Sequence, residues 1–249
     1  MYREVKTNKD LLKNKKGLKI IKFKGGLGNQ LFQYGLYTFF EKKNYLVLAD
    51  LSFYNNQRKY KKISKRKFYL NEILKKKLQI IDENTKLYKY MLIQRLENFF
   101  IKLLKLNIIT KNVYWEGYWQ DIFFAKNIKK KMFKNNFLKV SIYFPKNYYI
   151  LHYRCGDFIH SKDHIVIDAE YYNKALKRFN KYPILAISDD TQNLKKLLKK
   201  INYKKKIIEV KKLNTKNTFS LIMNSQGGIA SNSTFAWWGS YLSKSTKWF

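Results

Sequence analysis

The sequence predicts an α/β protein made of two parallel-sheet lobes that face a central cleft. Three observations predict it. Strand-like and helix-like segments alternate through both halves of the chain, the pattern that produces parallel sheets with helical crossovers. A glycine turn separates the first strand from the first helix, where an α/β sheet opens to a ligand. The length of 249 residues suffices for two small lobes, each with its own core.

Residues 1–16 are polar and lysine-rich and read as a leader with little structure. Residues 17–145 form the expected first lobe, and 146–249 the second. In the first, Leu18–Phe23 is a strand, Lys24-Gly25-Gly26-Leu27-Gly28-Asn29-Gln30 a turn, and Leu31 to Lys43 a helix. Tyr45–Ala49 completes a βαβ unit. Asp50–Lys67 is a polar loop. Leu92, Leu96, Phe99, Leu103 and Leu106 recur at three- and four-residue steps, so Asn84–Ile109 reads as a basic amphipathic helix, packed on a core or lying on a membrane surface. The aromatic run Val113–Gln120 is strand-like and leads into a helix at Ile122–Phe133, followed by a linker over Val140–Asn147. The second lobe has strands at Tyr148–Tyr153, Ile184–Ser188, Lys206–Val210 and Gly228–Ser231. Its helices fall at Ala169–Asn180, Thr191–Lys200, Thr218–Asn224 and Ser233–Tyr241.

Composition narrows the functional classes. A hydrophobic content of 45% describes a folded chain. The formal charge of +35 suggests an anionic partner, yet only six of the 52 cationic side chains are arginines. Nucleic-acid readers rely on arginine forks and clustered patches, so no nucleic-acid partner is expected. A positive surface nonetheless suits an acidic membrane or the attraction of a nucleotide. Cys155 is the single cysteine, which fits a reducing compartment. With no signal-like segment and no apolar run of ~18 residues, a cytoplasmic protein is expected, with room for peripheral contact at the inner face of the membrane.

Four stretches carry candidate chemistry. His152 and Arg154 end a buried strand and are followed by Gly156 and Asp157; an arginine there suits phosphate oxygens, or else forms a surface ion pair with Asp157. Gly26 and Gly28 give half of a dinucleotide fingerprint, with Asp50 placed as a ribose-binding acid would be, but Leu31 holds the third glycine position. Asn29 and Gln30 are polar donors at the start of the next helix. Ser188, Asp189 and Asp190 end another strand, where a carboxylate meets a ribose or a base edge, or caps a helix. Ser231, Asn232, Ser233, Thr234 and Phe235 lead into a tryptophan-rich helix and make an anion cradle of hydroxyls, amide and backbone N–H groups. No Asp-x-Asp, Walker A lysine or Cys/His cluster is present, so no metal is expected.

These stretches, in this order, resemble the inverting α-1,2-fucosyltransferases of glycosyltransferase family 11. Gly25–Tyr34 matches a Gly-Gly-Leu-Gly-Asn-Gln-x-Phe-Gln-Tyr motif, and Gly117-Tyr118-Trp119-Gln120 a Gly-Tyr-x-Gln segment. His152, Arg154, Gly156, Asp157 and Phe158 follow His-x-Arg-Arg-Gly-Asp-Tyr, and Ser231–Trp238 follows Ser-Asn-Ser-Thr-Phe-x-Trp-Trp. The resemblance implies a GT-B-like fold of two Rossmann-type lobes, the second binding the donor. It implies transfer of fucose from GDP-fucose, with inversion and without metal, to O2 of a galactose-containing glycan or glycolipid, with a place in surface-glycan (lipopolysaccharide) synthesis. It implies that Arg154 meets the diphosphate, supported by His152 and the Ser231–Phe235 cradle, while Asn29 approaches from the other lobe. Two departures stand out. The second arginine of the motif is Cys155, and the chain stops at Phe249, where the family continues, so the second lobe is expected to be shortened. The alternative is a homologue that binds GDP or a glycan without turnover.

Overall fold

The computed structural model describes residues 14–55, 66–81, 113–138, 144–161, 164–211, 213–243 and 245–249. Residues 1–13 of the expected leader, most of the Asp50–Lys67 loop, the Asn84–Ile109 helix and the first half of the Val140–Asn147 linker lie outside them. The chain forms two compact units, Met1–Met132 and Phe133–Phe249. The boundary falls earlier than the sequence suggests because Phe137 belongs to the second unit. Its ring stacks between Phe133 and Phe219, and Ser220 donates its hydroxyl to the Phe137 carbonyl.

The first unit holds strands β1 (Leu18–Lys22), β2 (Leu46–Asp50) and β3 (Tyr114–Glu116) in a parallel sheet of order β2-β1-β3. Helix α1 (Leu27–Lys42) makes the crossover. Ile20, Leu46, Leu48 and Tyr114 point to one core with Ile81, and α1 packs against β1 and β2. The helix begins four residues earlier than expected, with Gly26 as N-cap, so Gly28, Asn29 and Gln30 are helical. The expected Ile122–Phe133 helix is instead one turn, Ile122–Ala125, capped by Asp121, and a 3₁₀ turn at Lys130–Met132.

Two glutamines of α1 organise this unit. Gln30 is fully buried and donates to Gly25 O at 3.1 Å and Lys67 O at 2.8 Å, while accepting from Tyr69 N at 2.9 Å. Gln33, also buried, accepts from Lys24 N at 3.1 Å and donates to Gly117 O at 2.9 Å. Each amide therefore stitches the glycine turn to a distant loop.

The second unit is a four-stranded parallel sheet of order β6-β5-β4-β7, with β4 Tyr149–Tyr153, β5 Ile184–Ser188, β6 Ile207–Glu209 and β7 Gly228–Ile229. Helices α2 (Ala169–Leu176) and α3 (Thr191–Lys200) cover one face, meeting Tyr149, Leu151 and Ala186. Helices α4 (Thr215–Met223) and α5 (Thr234–Tyr241) accompany the other, where Ile150, Leu185 and Ile187 meet Leu221, Ile222 and Phe235. All five residues of β4 are buried, as in a strand covered on both faces.

The last residues of the chain pair with β7. Gly228 N donates to Lys247 O, Phe249 N to Gly228 O and Ala230 N to Phe249 O, each at 2.9 Å. Gly227 permits this approach. Its φ is +123°, and a Cβ there would sit 2.1 Å from the Lys247 carbonyl oxygen.

The buried amide of Gln30 generates a stability prediction. Gln30→Ala leaves Lys67 O and Tyr69 N without the amide, while Gly25 O keeps the Tyr54 hydroxyl, and is expected to cost about 2–4 kcal/mol of unfolding free energy. Urea denaturation measures it; a loss below ~0.5 kcal/mol would show that water replaces the amide.

Candidate functional site

The site is built at the carboxyl end of the second sheet. Because β4 is buried on both faces, its polar residues can meet a ligand only where the strand ends. There Arg154 leaves the sheet with a half-buried guanidinium. It donates through Nη1 to Asp189 Oδ2 at 2.6 Å and through Nη2 to Asp157 Oδ1 at 2.5 Å, and lies 5.2 Å from the centre of the Phe158 ring. The ion pair with Asp157 suggested by the sequence is present, and Asp189 adds a second carboxylate.

Asp189 also accepts the Cys155 N–H on Oδ1 at 3.2 Å, so one carboxylate binds the ends of two neighbouring strands. Gly156 makes room for it. A Cβ at that position would lie 2.3 Å from Asp189 Oδ2. Asp190 plays a different part. Its carboxylate caps α3, accepting Asn193 N at 3.0 Å and Asn193 Nδ2 at 2.8 Å, bonds that hold its carboxyl below the usual carboxylate range. Ser188 Oγ accepts Asp190 N at 3.0 Å and so fixes the same turn. The cap reading of Ser188-Asp189-Asp190 applies to Asp190, while Asp189 is bonded to Arg154 and the Cys155 N–H.

His152 precedes Arg154 by two residues and points to the opposite face from Leu151. It is buried, 2.8 Å through Nδ1 from Ser231 Oγ, with its ring 6.3 Å from that of Phe235. Burial lowers its pKa from 6.5 to about 4, the nearby Arg154 adding to the effect and Asp189 opposing it. The imidazole is therefore neutral at physiological pH. Ser231 is thus held from β4, and Ser233 N turns back onto Ser231 O at 2.7 Å to start α5. Ser233 is the N-cap without a side-chain cap bond, Thr234 and Phe235 are the first helical residues, and Asn232 reaches away to Ile165 O at 2.9 Å. The first N–H groups of α5 lack intrahelical acceptors, as at any helix start.

Arg154, Asp157, Asp189, His152, Ser231 and Phe235 are therefore one cluster, with Ser188, Ser233 and Thr234 at its border. Cys155, where a second arginine was expected, is buried, and burial pushes its thiol above the ordinary range. It is packing, not a reactive group.

In the first unit, the carboxyl end of the sheet gathers another set. Asn29 Oδ1 accepts Gln120 Nε2 at 3.0 Å. Gly26 caps α1 and Gly28 is buried within its first turn. Asp50 is not available to a ribose: it is buried, bonded by Tyr114 Oη at 2.8 Å and Ser52 N at 2.8 Å. Gln30 is likewise consumed by the fold. Sequence reading missed Glu116, whose carboxylate meets Lys22 Nζ at 3.0 Å and Lys24 Nζ at 3.7 Å beside Gly117. The signal was available, since Glu116 immediately precedes the Gly-Tyr-x-Gln segment. That segment is strained: Trp119 has φ +53° and a buried Nε1 without a hydrogen-bond partner. Among the described residues no group of three or more His, Cys, Asp or Glu side chains is placed to hold a metal ion, and no helix is long and apolar enough to cross a membrane.

An arginine, a neutral histidine and a helix start at the carboxyl edge of a parallel α/β lobe make an edge chemically suited to an anionic group. The chain belongs to glycosyl transferase family 11, whose model matches residues 2–247. It is 26% identical over 259 residues to an α-1,2-colitosyltransferase of Escherichia coli, an alignment covering 90% of this chain and 87% of that one. No solved structure matches the chain at a significant level. The protein is a glycosyltransferase, and the resemblance read from its motifs is borne out at the level of family.

The neutral His152 makes stability depend on pH. Its folded pKa is depressed, so the unfolded chain takes up a proton that the folded chain refuses between pH 6.5 and about 4. Stability present above that window is lost on acidification through it, on the order of 3 kcal/mol. Urea denaturation at pH 7 and near pH 5 is expected to show this slope, and His152→Asn to flatten it. An equal slope in both proteins would assign the titration to other groups.

Proposed function

We propose that the protein transfers L-fucose from GDP-fucose, with inversion and without a metal ion, to O2 of a galactose-containing glycan or glycolipid. The observation that supports this most directly is the Arg154 guanidinium at the carboxyl end of β4, beside the His152–Ser231 pair and the start of α5. Inverting transfer is a single displacement. The acceptor hydroxyl oxygen attacks the anomeric carbon and its proton passes to solvent, the bond from that carbon to the β-phosphate oxygen breaks, and its electron pair leaves with GDP. Negative charge therefore builds on the diphosphate. A guanidinium fork and oriented N–H groups bind that charge more strongly in the transition state than before it, and only such differential binding accelerates the step.

The two carboxylates on Arg154 have a role here. They hold the fork in place before the donor arrives, and both are partly open to solvent, so an incoming diphosphate competes for the guanidinium at modest cost. His152, uncharged, supplies the Ser231 hydroxyl with a fixed partner. Asn29 and the carboxylate of Glu116 are polar groups near the carboxyl end of the first unit's sheet. Glu116, between two ammonium groups, is better suited to hold a hydroxyl than to take a proton from it.

The similarity to a colitosyltransferase favours a second donor for comparison. Colitose is fucose without its 3-hydroxyl. A site that spends a buried hydrogen bond on that hydroxyl rejects the deoxy sugar strongly, and one that does not accepts both.

The test is product formation from GDP-fucose, or GDP-colitose, and a panel of galactosides in excess EDTA, with the linkage read by NMR. An α-1,2-linked product in EDTA is expected. Dependence on manganese or magnesium would overturn this account of leaving-group stabilisation, and GDP binding without product would favour the non-catalytic homologue. Arg154→Ala is expected to lower turnover at least ~100-fold, and Arg154→Lys to recover little, because a point charge cannot replace the fork. Unfolding free energy should change by no more than ~1 kcal/mol, since the ion pairs are partly exposed. Near-normal turnover in Arg154→Ala would reduce Arg154 to an ion-pair partner.

A further inference from the structure

Helices α2 and α3 lie side by side on one face of the second sheet, and their outer surfaces join. Asn173 of α2 donates to Lys200 O at 3.3 Å and accepts from Asn202 N at 2.8 Å, fastening the two helices together. The outer side of α3 carries Lys195, Lys196, Lys199 and Lys200, all exposed, around the buried Leu194 and Leu197. That of α2 continues with Lys174, Lys177 and, past its end, Lys181, also exposed. Three more exposed lysines follow at 204–206.

Between residues 174 and 206 the only carboxylates are Asp189 and Asp190, against ten lysines. Asp189 is committed to Arg154, and Asp190 caps α3 and also acts on Lys196. Glu170, one turn before Lys174 on α2, offsets the charge of that lysine, and the face keeps a large positive excess. Lys199 and Lys200 at the end of α3, and Lys174 at the end of α2, have a local reason to be there, since the last turn of a helix favours positive charge. Lys181 lies over the Tyr182 ring and Lys205 donates to Asn180 O, contacts that leave the charge of both ammonium groups in place.

We propose that this lysine face seats the protein on an anionic lipid surface. Lysines present diffuse positive charge, suited to a plane of headgroup phosphates and carboxylates, and lack the planar forks that read bases. The one arginine of the region, Arg178, lies over the ring of Phe249 at 4.8 Å. Among the described residues the large exposed apolar side chains are Tyr118, Ile122, Phe123, Ile159 and Ile165, none of them on this face. It therefore offers neither a ring on which a base could stack nor an apolar wedge to enter the bilayer. The attachment is electrostatic and reversible, and it depends on charge, not on which sugar nucleotide the protein uses.

Co-sedimentation of the full chain with vesicles tests it, comparing phosphatidylcholine with phosphatidylcholine containing about 30 mol% phosphatidylserine. Binding to the anionic vesicles alone is expected, falling steeply as salt rises. The combined variant Lys195→Gln, Lys196→Gln, Lys199→Gln and Lys200→Gln should weaken it at least ~30-fold. Lys174→Gln, Lys177→Gln and Lys181→Gln together, on the other helix, give an independent variant should the first fail to fold. A control of equal charge, Lys75→Gln, Lys77→Gln, Lys126→Gln and Lys129→Gln, should bind within ~3-fold of the parent. Equal loss in the control and α3 variants would overturn the assignment to this face. Equal binding to neutral vesicles, or tighter binding to RNA than to anionic vesicles at the same salt, would overturn the proposal itself.

Discussion

The carboxylate of Asp189 holds the candidate site together. It stands at the end of β5 and binds both the Arg154 guanidinium and the Cys155 N–H at the end of β4. The two strands are in parallel register with Tyr153 opposite Ser188, so the contact closes the last rung of the ladder with a side chain instead of a backbone bond. Everything polar at this edge follows from it. Gly156 has no side chain because the carboxylate fills that space. Arg154 has a defined direction because both of its terminal nitrogens are held, Nη1 by Asp189 and Nη2 by Asp157. The adjacent Asp190 is released to cap α3, which fixes the turn that carries Asp189.

His152 adds a second constraint of a different kind. A histidine inside a fully buried strand must be uncharged and hydrogen-bonded, and Ser231 satisfies it from the end of β7. Phe235, against both His152 and Phe219, anchors the start of α5 to the same core. Three strand ends and one helix start are thus positioned by side-chain bonds among motif residues. These bonds fix the Arg154 guanidinium, the His152 imidazole and the start of α5 in place.

Much of this was legible in the sequence because it rests on local pattern. The strands at Ile184–Ser188 and the helix at Thr191–Lys200 coincide with expectation, since an apolar run and an amphipathic lysine-leucine repeat have few other interpretations. The cluster around Arg154 was legible because motif residues fall at strand ends, and an α/β sheet brings strand ends together. What was not legible depends on partners far along the chain. Asp50 resembled a ribose ligand until Tyr114 claimed its carboxylate, and Gln30 resembled a donor until Lys67 and Tyr69 used both ends of its amide. The single turn at Ile122–Ala125 replaced a longer helix because Asp121 caps it and the chain then leaves through Asn127. Periodicity records none of these contacts.

The two motifs of the first unit differ in the mark they should leave on related sequences. Gln33 bonds only to the backbone of Lys24 and Gly117, so whatever side chains those positions carry, the glutamine is needed alone. Asn29 and Gln120 meet side chain to side chain. A change at one strands the amide of the other, and only a paired change restores the bond. Selection therefore acts on residue 33 as an individual and on residues 29 and 120 as a couple. Where a relative departs from these motifs, a change at residue 29 should come with one at residue 120.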